Sequence, residues 1–277
     1  MSETITLAHS PDSDDAFMFY GLATHKLNTG DLNFEHLLKD IQTLNEEAMR
    51  GTYDVTAISF HAYAYIHEKY ALLPHGASIG DNYGPIVVSR EAATPDDIPN
   101  LKIAIPGKLT SAFLALQLFL GEFDFIVVPF DKIFDAVESG RADAGLIIHE
   151  GQLTYARAGF ERIVDLGEWW KRETGLPLPL GGNVVRKNIP PSVRRNISEI
   201  IHESIDYGLT HRDEAVAHSL AYAREMNAQL ASKFIGMYVN EFTRDYGEIG
   251  RAAIRRFLSD GYQKGYVGVP LQLEFVE

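Results

Sequence analysis

Short apolar runs alternate with amphipathic stretches through the first two-thirds of the chain. Runs of period two or of continuous Val, Ile and Ala predict strands over 5–9, 33–38, 55–59 and 86–89. Apolar residues at helical spacing predict helices over 14–26, over 43–50 and from the end of the third strand through Tyr70. Gly51 is placed to close the second of these in the left-handed conformation. A second set follows, with strands over 102–105, 125–128, 144–148 and 162–166 and helices over 110–120 and 132–139. A short helix follows His149, the segment 168–174 completes the set, and 183–186 reads as one more strand. From 191 to about 265 the pattern is helical.

Strand and helix alternating at this interval indicate an α/β fold with mostly parallel strands. Two breaks punctuate it: 91–100 with Pro95 and Pro99, and 175–182 with its Gly, Leu and Pro run. The predicted organisation is therefore discontinuous. One lobe comprises 1–90 plus 182–277, including the C-terminal helices, and the other 98–176. Hinge crossings near 91–97 and 175–181 would leave a cleft between the lobes. A single sheet with a helical C-terminal domain is the alternative.

Composition narrows the function. The chain has 277 residues, 45% of them hydrophobic, enough for one large domain or two medium ones. There is no cysteine, which removes disulfides, thiolate metal sites and a cysteine nucleophile. A net charge of -13 argues against nucleic acid as a partner, since Arg194-Arg195 and Arg255-Arg256 are the only basic clusters and read as solvated helix faces. No apolar run approaches the ~20 residues of a membrane span. With no leader visible at 5–10, the expectation is a cytoplasmic protein. The helical C-terminal part offers a surface for a homodimer, though helices packing on their own lobe would give the same pattern.

Candidate chemistry gathers where strands end, because in open α/β sheets ligands bind beyond the carboxyl ends of strands. The run 144–148 stops abruptly at His149-Glu150, and its counterpart over 55–59 stops at the hydroxyl of Ser59. A histidine there can exchange protons near neutral pH, and a nearby helix start favours its neutral form. Ser10-Pro-Asp-Ser-Asp14-Asp15 joins the first strand to the first helix. Helix capping explains these residues, as does a polar cleft floor that receives sugar hydroxyls through Ser10 and Asp14. The equivalent turn of the second set, Pro106-Gly-Lys-Leu-Thr110-Ser111, has no acid. Its amides and hydroxyls, continuing to Ala112, suit a substrate carboxylate, although a plain cap by Thr110 reads equally well. The phosphate-loop, dinucleotide, nucleophile-elbow and His-Glu-x-x-His spacings are all absent. No metal and no cofactor are therefore expected. Trp169-Trp170 and the tyrosines near Tyr155 read as packing, with stacking on an aromatic product as the second reading.

Several stretches together carry a likeness. They are His9-Ser-Pro-Asp-Ser-Asp-Asp-Ala-Phe-Met-Phe-Tyr20, Asp40-Ile-Gln-Thr-Leu-Asn45 and Gly145-Leu-Ile-Ile-His-Glu150. Val164-Asp-Leu-Gly-Glu-Trp-Trp170, Thr174-Gly-Leu-Pro-Leu-Pro-Leu-Gly181 and Tyr238-Val-Asn-Glu-Phe242 complete them, so the likeness spans nearly the whole length. The chain resembles the 1,4-dihydroxy-6-naphthoate synthase family of the futalosine route to menaquinone. The resemblance implies a two-lobed type II periplasmic-binding-protein fold and a lyase acting on cyclic dehypoxanthinyl futalosine, a substrate with a carboxylate and a sugar-derived portion. It further implies that His149 is the proton-accepting base and that Thr56, Ala57, Ile58, Ser111 and Ala112 contact substrate. This chain departs from some members at Pro11-Asp-Ser-Asp-Asp-Ala16, where they carry Pro-Cys-Pro-Asn-Asp-Thr, and at Ala57, where they carry Lys. Three other readings stand beside it: a chorismate dehydratase of the sister family, a non-catalytic binding protein for a small anion, and a sensor using the same closing lobes, which no sequence feature supports.

Overall fold

Strand β1 (Glu3–His9) pairs in parallel with β2 (Leu32–Leu38) along its length and with β3 (Val55–Ser59) at Leu7 and Ala8. The computed structural model describes residues 3–222 and 227–277. β3 is buried at all of its positions, as its unbroken Val-Thr-Ala-Ile-Ser run demands of a central strand. Two three-residue strands follow, β4 (Tyr70–Leu72) and β5 (Ser78–Gly80). Both were missed: the helix expected through Tyr70 stops at Ile66, and the chain then pairs as sheet.

β6 (Ile86–Ser89) opens a second sheet with β7 (Ile103–Ile105), β8 (Phe125–Val127), β9 (Ala144–Ile147) and β10 (Glu161–Asp165). Its order is β10-β6-β9-β7-β8. The chain then returns through β11 (Leu178–Arg186), which inserts between β3 and β4 of the first sheet and also pairs with β5. The α/β expectation thus meets two mixed sheets rather than mostly parallel ones, because β6 runs antiparallel to β9 and β10, and β11 antiparallel to β3, β4 and β5. Ile86–Ser89, counted with the first lobe, pairs only within the second sheet. The second half of the Leu-Pro-Leu-Pro run, expected as a break, begins β11 at Leu178. Its register shifts between Pro179 and Gly181, where the missing proline N–H interrupts the ladder.

Local signals account for the helices that aim at the site. Asp40 caps Ile41–Arg50 by accepting from the Thr43 amide, and Gly51 ends it at φ 72°. Thr110 caps Ser111–Leu120 through the Phe113 amide. The first helix, expected over 14–26, is two pieces, Ser13–Met18 and Tyr20–Ala23. The break falls at buried Phe19, whose ring lies 4.6 Å from that of His9. Ile5, Leu7, Val55, Ile58 and Leu114 are all at or below 1% exposure. Each such side chain contributes about 1.5–3 kcal/mol through apolar burial. Trp170 joins this core, donating from Nε1 to the Pro177 carbonyl and meeting Phe257 edge-on, while Trp169 packs on Phe119. The tryptophans are packing, as the first of their two readings held. Among the described residues no helix is long and apolar enough to cross a membrane.

Candidate active site between the two sheets

The carboxyl ends of β1 and β3 face the turns that follow β7 and β9 across a cavity. From the first sheet come Ser10, Asp12, Asp14 and Asp15 after β1, then Ala57, Ile58 and Ser59, Ser78 on β5, and Leu180 to Asn183 on β11. From the second side come Pro85, Thr110, Ser111, Ala112 and Ile148. Phe234 and Tyr238, on the helix Ala228–Tyr238, close the remaining wall.

The two strand-to-helix turns differ in charge. In the first, the Asp15 carboxylate accepts from the Ser10 amide at 2.7 Å and Asp12 from the Ser10 hydroxyl at 2.6 Å. Burial first, and the Asp12 charge second, push the Asp14 carboxyl well up from the ordinary carboxylate range. Asp15 is pushed up as well, by burial and then by Asp14. In the second turn no acid is present. The first two amides of its helix, Ser111 and Ala112, have no intrahelical acceptor and point toward the cavity end of a ten-residue helix, where an anion is favoured. The Ser111 hydroxyl is already engaged. It accepts from the His61 amide at 3.2 Å and donates to the Leu180 carbonyl at 2.5 Å, so the backbone is left as the donor. His61 itself, held against the Thr110 carbonyl, has its pKa lowered to about 4 by burial and stays neutral.

The structure brings Ser10, Asp14, Ala57, Ile58, Ser59, Thr110, Ser111 and Ala112 to this one cavity. Thr56 is buried within β3, donates to the Ala57 carbonyl, and does not line it. His149 does not line it either, although its neighbour Ile148 does. The His149 ring lies edge-on to Phe130 and Phe134, at 5.8 and 6.0 Å, with its side chain 12% exposed. Nδ1 accepts from the Gly151 amide at 3.0 Å and lies 3.8 Å from the Glu150 carboxylate. Gly151 has to be glycine here, because a Cβ would meet both His149 and Phe134 at 2.8 Å.

Some of what shapes the site was not singled out from the sequence. Asn45 clamps the tip of β3, accepting from the Ser59 amide at 2.8 Å and donating to the Ser59 hydroxyl at 3.0 Å. It is fully buried between Leu44 and Ala48, and a polar residue on an apolar helix face is the signal that marks it. Tyr238 donates to Gln152 at 2.6 Å and so ties the closing helix to the turn beyond His149. Asn183 lies in the Gly-Gly-Asn-Val-Val stretch of β11, after its Leu-Pro-Leu start.

A family model described as menaquinone biosynthesis matches residues 5–263. A Thermus thermophilus protein named 1,4-dihydroxy-6-naphtoate synthase is 35% identical over 263 residues, covering 95% of this chain and 96% of its own length. The solved structure of protein AF1704 from Archaeoglobus fulgidus superposes with a TM-score of 0.92 at 41% identity, covering 95% of this chain and 98% of that one. A Candida albicans protein described as having the generic periplasmic binding protein fold superposes at 0.68 with 15% identity, over 98% of each chain. At that identity the likeness concerns the fold alone.

Proposed function

The chain belongs to the menaquinone biosynthesis family, and on that footing we propose that it is a 1,4-dihydroxy-6-naphthoate synthase, a lyase that converts cyclic dehypoxanthinyl futalosine to the dihydroxynaphthoate. The observation that carries the reading at the site is the polarity of the cavity. One strand-to-helix turn offers the Ser111 and Ala112 amides to an anion, and the other is an acidic turn in which burial resists negative charge and no donor array awaits an anion. A substrate with a carboxylate at one end and a hydroxylated, sugar-derived portion at the other fits that polarity in one direction only. Its carboxylate takes the amide end, and its hydroxyls take Ser10 and Asp14.

His149 is the base in this reading. It sits one residue beyond the cavity-lining Ile148, in a chain segment already at the cavity's edge. To act, its ring leaves the Gly151 amide and turns past Phe130 as the lobes built on the two sheets close, a motion that also excludes water. It then takes a proton from the carbocycle, and elimination of the sugar-derived fragment yields an aromatic ring. Aromatisation drives the step, and the protein's task is to orient substrate and move the proton.

Incubation of the purified protein with cyclic dehypoxanthinyl futalosine, followed by mass detection of the naphthoate, tests this. Product formed at a rate proportional to enzyme is the expected result. Turnover of chorismate instead would move the assignment to the sister activity, and tight binding of a small anion with no turnover of either compound would make the protein a receptor.

A further inference from the structure

Asn183 is 1% exposed and lines the cavity beside Gly76 and Gly182. Its Nδ2 donates to the Gly76 carbonyl at 3.1 Å, which fixes which end of the amide is which. Gly76, at φ +76°, is the residue that lets the amide approach so closely, since a Cβ there would collide with Nδ2. The Asn183 Oδ1 atom is buried and has no hydrogen-bond donor among the described residues. Buried side-chain acceptors are satisfied in the large majority of cases, and one left without a donor is strongly disfavoured. Here that acceptor belongs to a side chain on the wall of the proposed substrate site. Along the same wall, Ser78 pairs across β5 and β11 with Gly181, two residues from Asn183, and Ser78 and Asp14 both line the cavity.

We infer that Asn183 is a specificity-determining residue that accepts a hydrogen bond from a hydroxyl of the substrate's sugar-derived portion, alongside Asp14. This rests on the reading of function above and adds to it which wall reads the hydroxyls. Two acceptors set along one wall, opposite a donor-lined anion seat, select a neutral hydroxylated group and reject a deoxygenated one. A site built to bond a hydroxyl discriminates strongly against the analogue lacking it, because its own buried group is then left unpaired.

The test compares wild type with Asn183→Leu on two compounds: cyclic dehypoxanthinyl futalosine and its analogue with the sugar-derived hydroxyls replaced by hydrogen. Binding is read by calorimetry and turnover by product mass. Wild type should prefer the hydroxylated compound, and N183L should lose about 10–100-fold on it, mainly through KM. On the deoxy analogue the variant should differ little from wild type. Equal losses on both compounds, or no preference in wild type, would overturn the inference and leave Asn183 a packing residue. If N183L does not fold, Asn183→Ala withdraws the oxygen without adding bulk and is judged by the same outcomes. Should wild type bind the compound without converting it, the functional reading falls and the ratio of dissociation constants still decides this inference. If it neither binds nor converts, both fall.

Discussion

The turns after β1 and after β7 occupy equivalent places, each leading from the carboxyl end of a parallel strand into a helix, yet they are electrostatic opposites. The Ser10–Asp15 turn gathers three carboxyl groups, and burial raises the pKa of Asp14 and Asp15 so that negative charge there is disfavoured. The turn ending at Ser111 and Ala112 has no acid and presents helix amides. Equivalent backbone geometry therefore does not make equivalent subsites. Side-chain charge decides which turn holds an anion, and the contrast gives the cavity a direction that a symmetrical pair of anion seats would lack.

The contrast is broken most severely by placing an acid at the wrong end. Ala112→Asp puts a carboxylate on the anion seat, at a buried position where the charge also costs stability. Like-charge juxtaposition of this kind costs several kcal/mol, so kcat/KM measured below the variant's own melting temperature should fall by about 1,000-fold. An unchanged kcat/KM would mean that the substrate carboxylate lies elsewhere. His149→Gln tests whether the second side also supplies the base. Steady-state assays should show kcat at least ~100-fold lower with KM little altered, the low end of a general base's contribution. Activity retained within a few-fold would take the role from His149 and leave its ring as a packing partner of Phe130 and Phe134.

Asp14→Asn sharpens the other end. Removing one charged acceptor for a substrate hydroxyl should raise KM about 10-fold, the scale of a hydrogen bond to a charged group. Wild type should also show KM falling as pH rises through the Asp14 pKa of about 7, as the carboxylate becomes the better acceptor, and the variant should lack that limb. Stability moves the other way. A carboxyl whose pKa is raised on folding binds more protons folded than unfolded, so its presence weakens the fold as pH climbs from the ordinary carboxylate range through that value. Thermal melts at pH 8 should therefore place Asp14→Asn about 2–4 °C above wild type, with the difference vanishing near pH 4. A variant that melts lower at pH 8 would show the carboxylate to be stabilising there.

Both turns were legible in the sequence from local pattern: the apolar run at 5–9 ends at the first, and the Thr110 cap marks the helix start after the second. Local pattern failed where partners are remote. Tyr70–Leu72 and Ser78–Gly80 become strands when β11 arrives about a hundred residues later to pair with them. The antiparallel seating of β6 depends on β9 and β10 in the same way. The position of His149 at a strand end could be read, but its ring direction is set by Phe130, Phe134 and the Gly151 amide, which no periodicity encodes. Asn183 escaped for a related reason, since a single polar residue in a buried strand announces a partner without naming it.

A crystal structure of the protein with 1,4-dihydroxy-6-naphthoate bound tests the direction of the cavity most directly. The account predicts the carboxylate within hydrogen-bond reach of the Ser111 and Ala112 amides, with the dihydroxylated ring turned toward Asp14 and Asn183. A carboxylate seated against the Ser10–Asp15 turn would contradict it.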